Sequence, residues 1–163
     1  MADTQGKPYF PMYFDLSQKN VVVVGAGTIA KRRIRLLTDF TEHLTVIAPE
    51  VNKELLDLEQ AGKIKILRKK YEREDLFGAD IVLAASSDNK INNDVHAACK
   101  CLGIMVNVCS DRNKCDFFFP GVVHKDTISL GISSQGKDRK EARKIKEQLA
   151  ALLDTGQQDH EID

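Results

Sequence analysis

The chain has 163 residues, and its 24 Lys+Arg are balanced by 24 Asp+Glu. That length suits one ordinary domain with a real core and room for a small appendage, and the zero net charge removes any global pull toward nucleic acid or a membrane. No apolar run reaches membrane-spanning length and the start, Met1 to Pro8, has no signal-peptide core, so a cytoplasmic protein is expected.

The four cysteines, Cys99, Cys101, Cys109 and Cys115, form no C-x-x-C pair. They are read as small half-buried hydrophobes of a reducing compartment, and no metal site is predicted.

Pro8 and Pro11 break any helix in the aromatic stretch Tyr9 to Phe14, which is expected to be an edge strand or a flap. Val21 to Val24 then form a β-branched run suited to a strand covered on both faces. The next residues, Gly25-Ala26-Gly27-Thr28-Ile29-Ala30, read G-x-G-x-x-A between that strand and a helix. The first glycine permits a tight turn, the second lets a pyrophosphate approach the backbone, and Ala30 allows close helix packing, so a dinucleotide site is predicted. In the helix, Ala30, Ile34 and Leu37 share the buried side, while Lys31, Arg32, Arg33 and Arg35 are assigned to the charged one.

Leu44 to Ala48 is a second buried strand, stopped by Pro49, with Glu50 directly after it. An acidic residue about 20 positions past the glycines commonly holds the adenosine ribose. Glu50 either does this or caps the following helix, whose face carries Val51, Leu55 and Leu58. No arginine stands beside it for a ribose phosphate, which favours NAD over NADP.

Alternating lysines around Ile64, Ile66 and Leu67 predict a third strand in an outer position. Ala79 to Ala85 is a fourth, closed by Ser86-Ser87-Asp88-Asn89. Ser86 and Ser87 border the expected ligand crevice, and Ser87 or Asp88 is equally suited to capping a helix. That helix presents Ile91, Val95, Ala98 and Leu102, ends at Gly103, and leads to a fifth strand, Ile104 to Val108. His96 is read as a surface or packing histidine. Repeated strand-helix alternation predicts an α/β fold with a parallel, Rossmann-like sheet over residues 1–112.

A polar loop, Ser110 to Asp116, precedes the aromatic Phe117-Phe118-Phe119-Pro120-Gly121-Val122-Val123 and a returning strand, Thr127 to Ile132. This hairpin is expected either to form a dimer interface or to add to the main sheet edge. With the last helix, in which Ala142, Ile145, Leu149 and Leu152 share a face, it is set apart as a hairpin-plus-helix segment over residues 113–153. A flexible polar tail occupies 154–163.

The glycine turn, Ala48-Pro49-Glu50, the AASSDN and NVCSDRNKCDFFFP segments and the SSQGKDRKEARKIKEQL helix occur in an order that resembles the precorrin-2 dehydrogenase/sirohydrochlorin ferrochelatase family, the N-terminal module of siroheme synthases. The resemblance implies a cytoplasmic homodimer that uses NAD to oxidise precorrin-2 to sirohydrochlorin, with ferrous iron inserted as well in bifunctional members. It further implies that Gly25, Gly27, Thr28 and Ile29 hold the pyrophosphate, Pro49 and Glu50 the adenosine end, and Ser133, Ser134 and Lys137 face the tetrapyrrole. The residues themselves add local cations suited to a polycarboxylate, Arg112, Lys114, Lys137, Arg139 and Lys140, which also suit a solvated face. Asn107 and Asp116 complete the substrate-binding candidates.

The chain departs from the family pattern N-V-x-D, because Ser110 stands in the aspartate slot and Asp111 one place later. Asp111 is taken as the acid/base group, with Ser110 and Asp116 in reserve. Asp138-Arg139 likewise replaces the usual Ser-Pro, and most of the helical C-terminal portion of longer members is expected to be absent. The alternative is a nucleotide-sensing module like the regulatory domains of potassium transport systems, which would continue with a sixth buried strand. A third reading, a tetrapyrrole-binding chelatase or metal-delivery protein, would fail to bind NAD.

Overall fold

The computed structural model describes residues 8–155. Its main sheet has the order β3-β2-β1-β4-β5, all parallel, built from β1 (Val21–Val24), β2 (Leu44–Ile47), β3 (Lys65–Leu67), β4 (Ile81–Ala84) and β5 (Met105–Val108). β1 lies at the centre, with Val21 in register with Leu44 on one side and Ile81 on the other. All of its valines are buried, as the unbroken β-branched run requires, and each contributes roughly 1.5–3 kcal/mol of burial free energy. β3 takes the outer position that its lysines predict.

Three helices connect these strands: α1 (Thr28–Leu37), α2 (Lys53–Gln60) and α3 (Asn89–Leu102). Alternate strand residues point to opposite faces, so Val22, Val24, Val82, Ala84, Val106 and Val108 share one, and they pack with Val95, Ala98 and Cys99 of α3. Cys99 thus takes the core place expected for Leu102, which is 45% exposed. Burial pushes the Cys99 thiol up to about 12, consistent with its role as a small hydrophobe. α3 ends at Gly103 in the left-handed conformation, as read from the sequence.

The sheet belongs to one compact unit, Phe14–Phe118. A second unit includes residues 8–13 and 119–155, so the chain divides after Phe118, later than the Arg112 boundary expected from the polar loop. In it, β6 (Gly121–Lys125) and β7 (Ile128–Ile132) pair antiparallel as a separate two-stranded sheet. The hairpin is therefore no addition to the main sheet. Asp126 turns the hairpin with φ +52°, a conformation aspartate tolerates better than most residues.

α4 (Arg139–Thr155) lies against β6, and Asp138 caps it by accepting a hydrogen bond from the Glu141 N–H at 2.8 Å. The helix continues past the expected start of the tail at Asp154, because Lys125 Nζ donates to Leu153 O at 2.6 Å and meets the Asp154 carboxylate at 3.2 Å. The rest of the expected tail lies outside the described residues. Tyr9 to Phe14 form neither helix nor strand; the Tyr13 hydroxyl instead donates to Ser129 O at 3.0 Å.

Candidate functional site

In a sheet of this order the direction of chain winding reverses between β1 and β4, and ligands of such folds bind outside the carboxyl ends of the strands at that point. Gly25 leaves β1 there with φ +114°. A Cβ on it would lie 2.5 Å from Ala85 O and 2.7 Å from Ser86 N, so only glycine lets the two strand exits meet. Gly27 is the contrasting case. Its φ of −70° is ordinary, and a Cβ would have nothing within 4 Å. The first glycine is thus needed by the protein itself, whereas the second leaves open space over the start of α1.

α1 opens without a side-chain cap and without an acidic residue in its first turn, so the N–H groups after Gly27 have neither an intrahelical acceptor nor a carboxylate partner. Thr28 and Ile29 lie in that turn, with Ile29 53% exposed. Open space above orphan N–H groups at a positive helix end suits a pyrophosphate. The residues therefore fit a dinucleotide.

At the end of β2, Pro49 and Glu50 are both exposed. The helix-capping reading of Glu50 is overturned: Asn52 caps α2, accepting from the Leu55 N–H at 3.1 Å. Beside the start of α1, a depression of about 350 Å³ is lined by Thr28, Lys31, Arg32, Arg35 and Glu54. Glu54 meets Lys31 at 2.9 Å and Arg35 at 3.8 Å, and the Lys31 hydrogen bond holds its carboxyl below the usual range.

The exits of β4 and β5 are tied by a residue that the sequence reading did not select. Asn92, in the first turn of α3, is 1% exposed. Its Oδ1 accepts from Ser86 N at 3.0 Å, while Nδ2 donates to Ser86 O at 2.9 Å and Ser110 Oγ at 3.2 Å. The signal for it was an asparagine three residues before core Val95, on the buried face of an amphipathic helix. Ser86 Oγ accepts from the Asp88 N–H at 3.1 Å, and Asp88 caps α3 through the Lys90 N–H at 2.7 Å. Of the two capping candidates, Asp88 has the role, and Ser87 stays exposed beside it.

Asp111 starts a 3₁₀ turn, Arg112–Lys114, by accepting from Asn113 N at 3.0 Å; its other oxygen lies 3.5 Å from Lys114 Nζ. Lys114 also donates to Asn93 Oδ1 at 2.6 Å, and the Arg112 guanidinium stacks over Phe118 at 5.1 Å from the ring centre. Asp116 has a structural task. One carboxylate oxygen accepts from Val106 N at 3.0 Å, the other pairs with Lys100, and its own N–H donates to Val106 O at 2.9 Å. Burial alone would raise this carboxyl, but Lys100 and the Val106 N–H outweigh it and lower the pKa. Cys115 bonds Val108 N and O in the same way, so the loop satisfies the outer edge of β5.

Asn107, 2% exposed, donates to Phe117 O at 2.7 Å and accepts from Arg33. Arg33 also lies 2.8 Å from Cys109 Sγ, so it turns inward from the charged face assigned to it. Desolvation lowers its pKa, and burial raises the Cys109 thiol against the opposing pull of Arg33. The remaining candidates, Ser133, Ser134 and Lys137, belong to the other compact unit. They form the turn before α4, in which Ser133 Oγ accepts from Gln135 N at 3.2 Å and Ser134 O from Lys137 N at 3.0 Å.

The parallel sheet with its reversal of winding, the glycine-lined strand exit and the open helix start define a nicotinamide-dinucleotide-binding α/β protein. Comparison with known proteins agrees: residues 12–121 match the family described as "Putative NAD(P)-binding". A solved structure titled "SirC, precorrin-2 dehydrogenase" superposes with a TM-score of 0.79 at 31% identity, covering 88% of this chain and 70% of that one. Siroheme synthase of Psychrobacter sp. (strain PRwf-1) is 35% identical over 147 residues, which are 90% of this chain and 30% of that protein. The siroheme synthase of Neisseria meningitidis serogroup C is 36% identical, with 89% and 30% covered. The chain belongs to the precorrin-2 dehydrogenase family, and it spans about a third of the length of the siroheme synthases it matches.

Proposed function

We propose that the protein is an NAD-dependent precorrin-2 dehydrogenase, producing sirohydrochlorin for siroheme synthesis in the cytoplasm. The observation that carries this reading is the contrast at the glycine turn, with Gly25 filled by its own chain and Gly27 open above the start of α1. The family relationship supplies the substrate. The bound dinucleotide supplies the hydride acceptor. One hydride and one proton leave precorrin-2, giving NADH and a proton released through a base. Gly27, Thr28 and Ile29 hold the pyrophosphate, Glu50 accepts from the ribose hydroxyls, and Ser86 and Ser87 border the nicotinamide side. NAD is favoured over NADP because Glu50 would repel a ribose phosphate, while Lys31 and Arg35 are engaged by Glu54.

Asp111 is the proton acceptor, for it retains oxygen capacity beyond its bond to Asn113 and its long approach to Lys114. Asp116 is set aside, since Val106 and Lys100 occupy both of its oxygens. Arg112 and Lys114 recognise the substrate carboxylates. Asn107 holds Arg33 and the Phe117 carbonyl at the exit of β5. The chain pairs as a homodimer through its hairpin and α4, where Ile128, Ile145 and Leu152 are exposed. The sensor reading loses its distinguishing feature: among the described residues the main sheet has no sixth strand.

The test is anaerobic. Purified protein, NAD and fresh precorrin-2 should give NADH and the sirohydrochlorin spectrum together, at a rate proportional to protein. NAD binding without turnover would refute the dehydrogenase reading for this chain alone, and failure to bind NAD would point to the tetrapyrrole-binding protein instead. Ferrous iron added to the product reads insertion in the same sample, and sedimentation reads the dimer.

A further inference from the structure

Three positions that are far apart in sequence converge on one buried side-chain amide. Gly25 brings the exit of β1 against Ala85 and Ser86, Asn92 holds Ser86 by both its N–H and its carbonyl, and the same Asn92 reaches Ser110 at the exit of β5. The amide is 1% exposed, with Oδ1 and both Nδ2 hydrogens occupied. Because Nδ2 only donates, Ser110 Oγ must be the acceptor in their shared bond. The Ser110 hydroxyl hydrogen is then free of Asn92 and available to a ligand.

We infer that Asn92 is a positioning residue that couples the cofactor side of the crevice to its reaction side, fixing Ser86 backbone and Ser110 hydroxyl together so that Ser110 presents a hydrogen-bond donor to the substrate. This rests on the dehydrogenase reading above. It also gives a reason why a serine is serviceable in a slot where the family pattern has aspartate. Asn92 can donate to a hydroxyl or to a carboxylate oxygen there, and with serine the proton-accepting task passes to Asp111.

The test is a double-substitution cycle on the full chain, with melting curves and NAD titrations run for each variant. Ser110→Ala removes the hydroxyl and leaves both Asn92 bonds to Ser86; kcat should fall about tenfold with KM for NAD little changed. Asn92→Asp keeps the shape and the acceptor but loses both donated bonds, so kcat should fall and KM for NAD should rise, each by about three- to tenfold. In the Asn92→Asp background, Ser110→Ala should cost less than twofold more. Equal fold losses in both backgrounds would overturn the coupling and leave Asn92 a merely structural residue.

Ser110→Asp supplies a second readout if Asn92→Asp does not fold. In Ser110→Asp the Asn92 side-chain amide hydrogens, held by the new carboxylate, should exchange as slowly as in wild type, whereas in Ser110→Ala their resonances should shift and exchange faster. Unmoved resonances in Ser110→Ala would overturn the inference without reference to turnover. A wild-type protein that binds NAD but does not turn over fails the dehydrogenase reading instead, and the resonance test still decides whether Asn92 engages Ser110.

Discussion

Gly25→Ala and Gly27→Ala differ by two positions in one turn, yet they should fail in different ways. At Gly25 the alanine must adopt φ +114°, a region nearly restricted to glycine, with its Cβ 2.5 Å from Ala85 O. Backbone strain of about 1–3 kcal/mol and overpacking of about 1–3 kcal/mol give a loss of about 2–6 kcal/mol. For a protein of this size, that lowers Tm by about 5–20 °C. At Gly27 the backbone is extended and the space open. There the poorer helix cap and the stiffer unfolded chain offset each other, leaving stability within about 1 kcal/mol. The new methyl occupies the space needed by a pyrophosphate, so NAD affinity should fall about 10- to 100-fold through lost charge-assisted hydrogen bonds. Calorimetric melting without ligand and titration with NAD separate the two effects. A Gly27→Ala protein that binds NAD like wild type, or melts as low as Gly25→Ala, would refute the division of labour between the glycines.

The remaining predictions concern cofactor choice, the inward arginine and pH. Glu50→Ala should weaken NAD binding and narrow the preference against NADP, read by paired titrations; an unchanged ratio would remove Glu50 from the ribose site. Arg33→Met leaves the buried Asn107 oxygen without this partner and should cost about 1–3 kcal/mol in urea unfolding. In the same variant, alkylation should find the Cys109 thiol pushed higher, because Arg33 no longer opposes the effect of burial; faster labelling at neutral pH from a lowered thiol pKa would contradict this. Among the carboxyls with depressed pKa values are Asp80 through the Asn20 N–H and Lys19, Asp94 through Arg73, and Asp116 where Lys100 and Val106 outweigh burial. Their contribution is complete above the unfolded value of about 4 and is lost as pH falls through the lower folded values. The urea midpoint should therefore drop between about pH 5 and pH 2, with a shallower slope in Asp116→Asn. A midpoint independent of acid would show that these pairs contribute nothing to stability.

Local pattern made the framework legible from sequence alone. Four consecutive valines require cover on both faces, and β1 has it between β2 and β4. The G-x-G-x-x-A turn joins a strand to a helix, and Gly103 ends α3, because each depends on a few adjacent residues and their allowed backbone angles. The order of these elements also carried the family resemblance, since motifs are linear. What stayed illegible depended on which strands became neighbours. Arg33 reads as one more cation on a charged helix face, yet it meets Asn107, 74 positions away. Asp116 reads as a substrate contact, but an edge strand leaves the Val106 N–H and carbonyl without a neighbouring strand, and the loop satisfies them. Asn92 looks like one of several polar residues opening a helix, and only the parallel placement of β4 beside β5 puts Ser86 and Ser110 within reach of its single amide. Short-range periodicity and turn chemistry are properties of the sequence itself. Hydrogen-bond partners of buried polar groups are assigned by strand order, and that is decided when the sheet assembles.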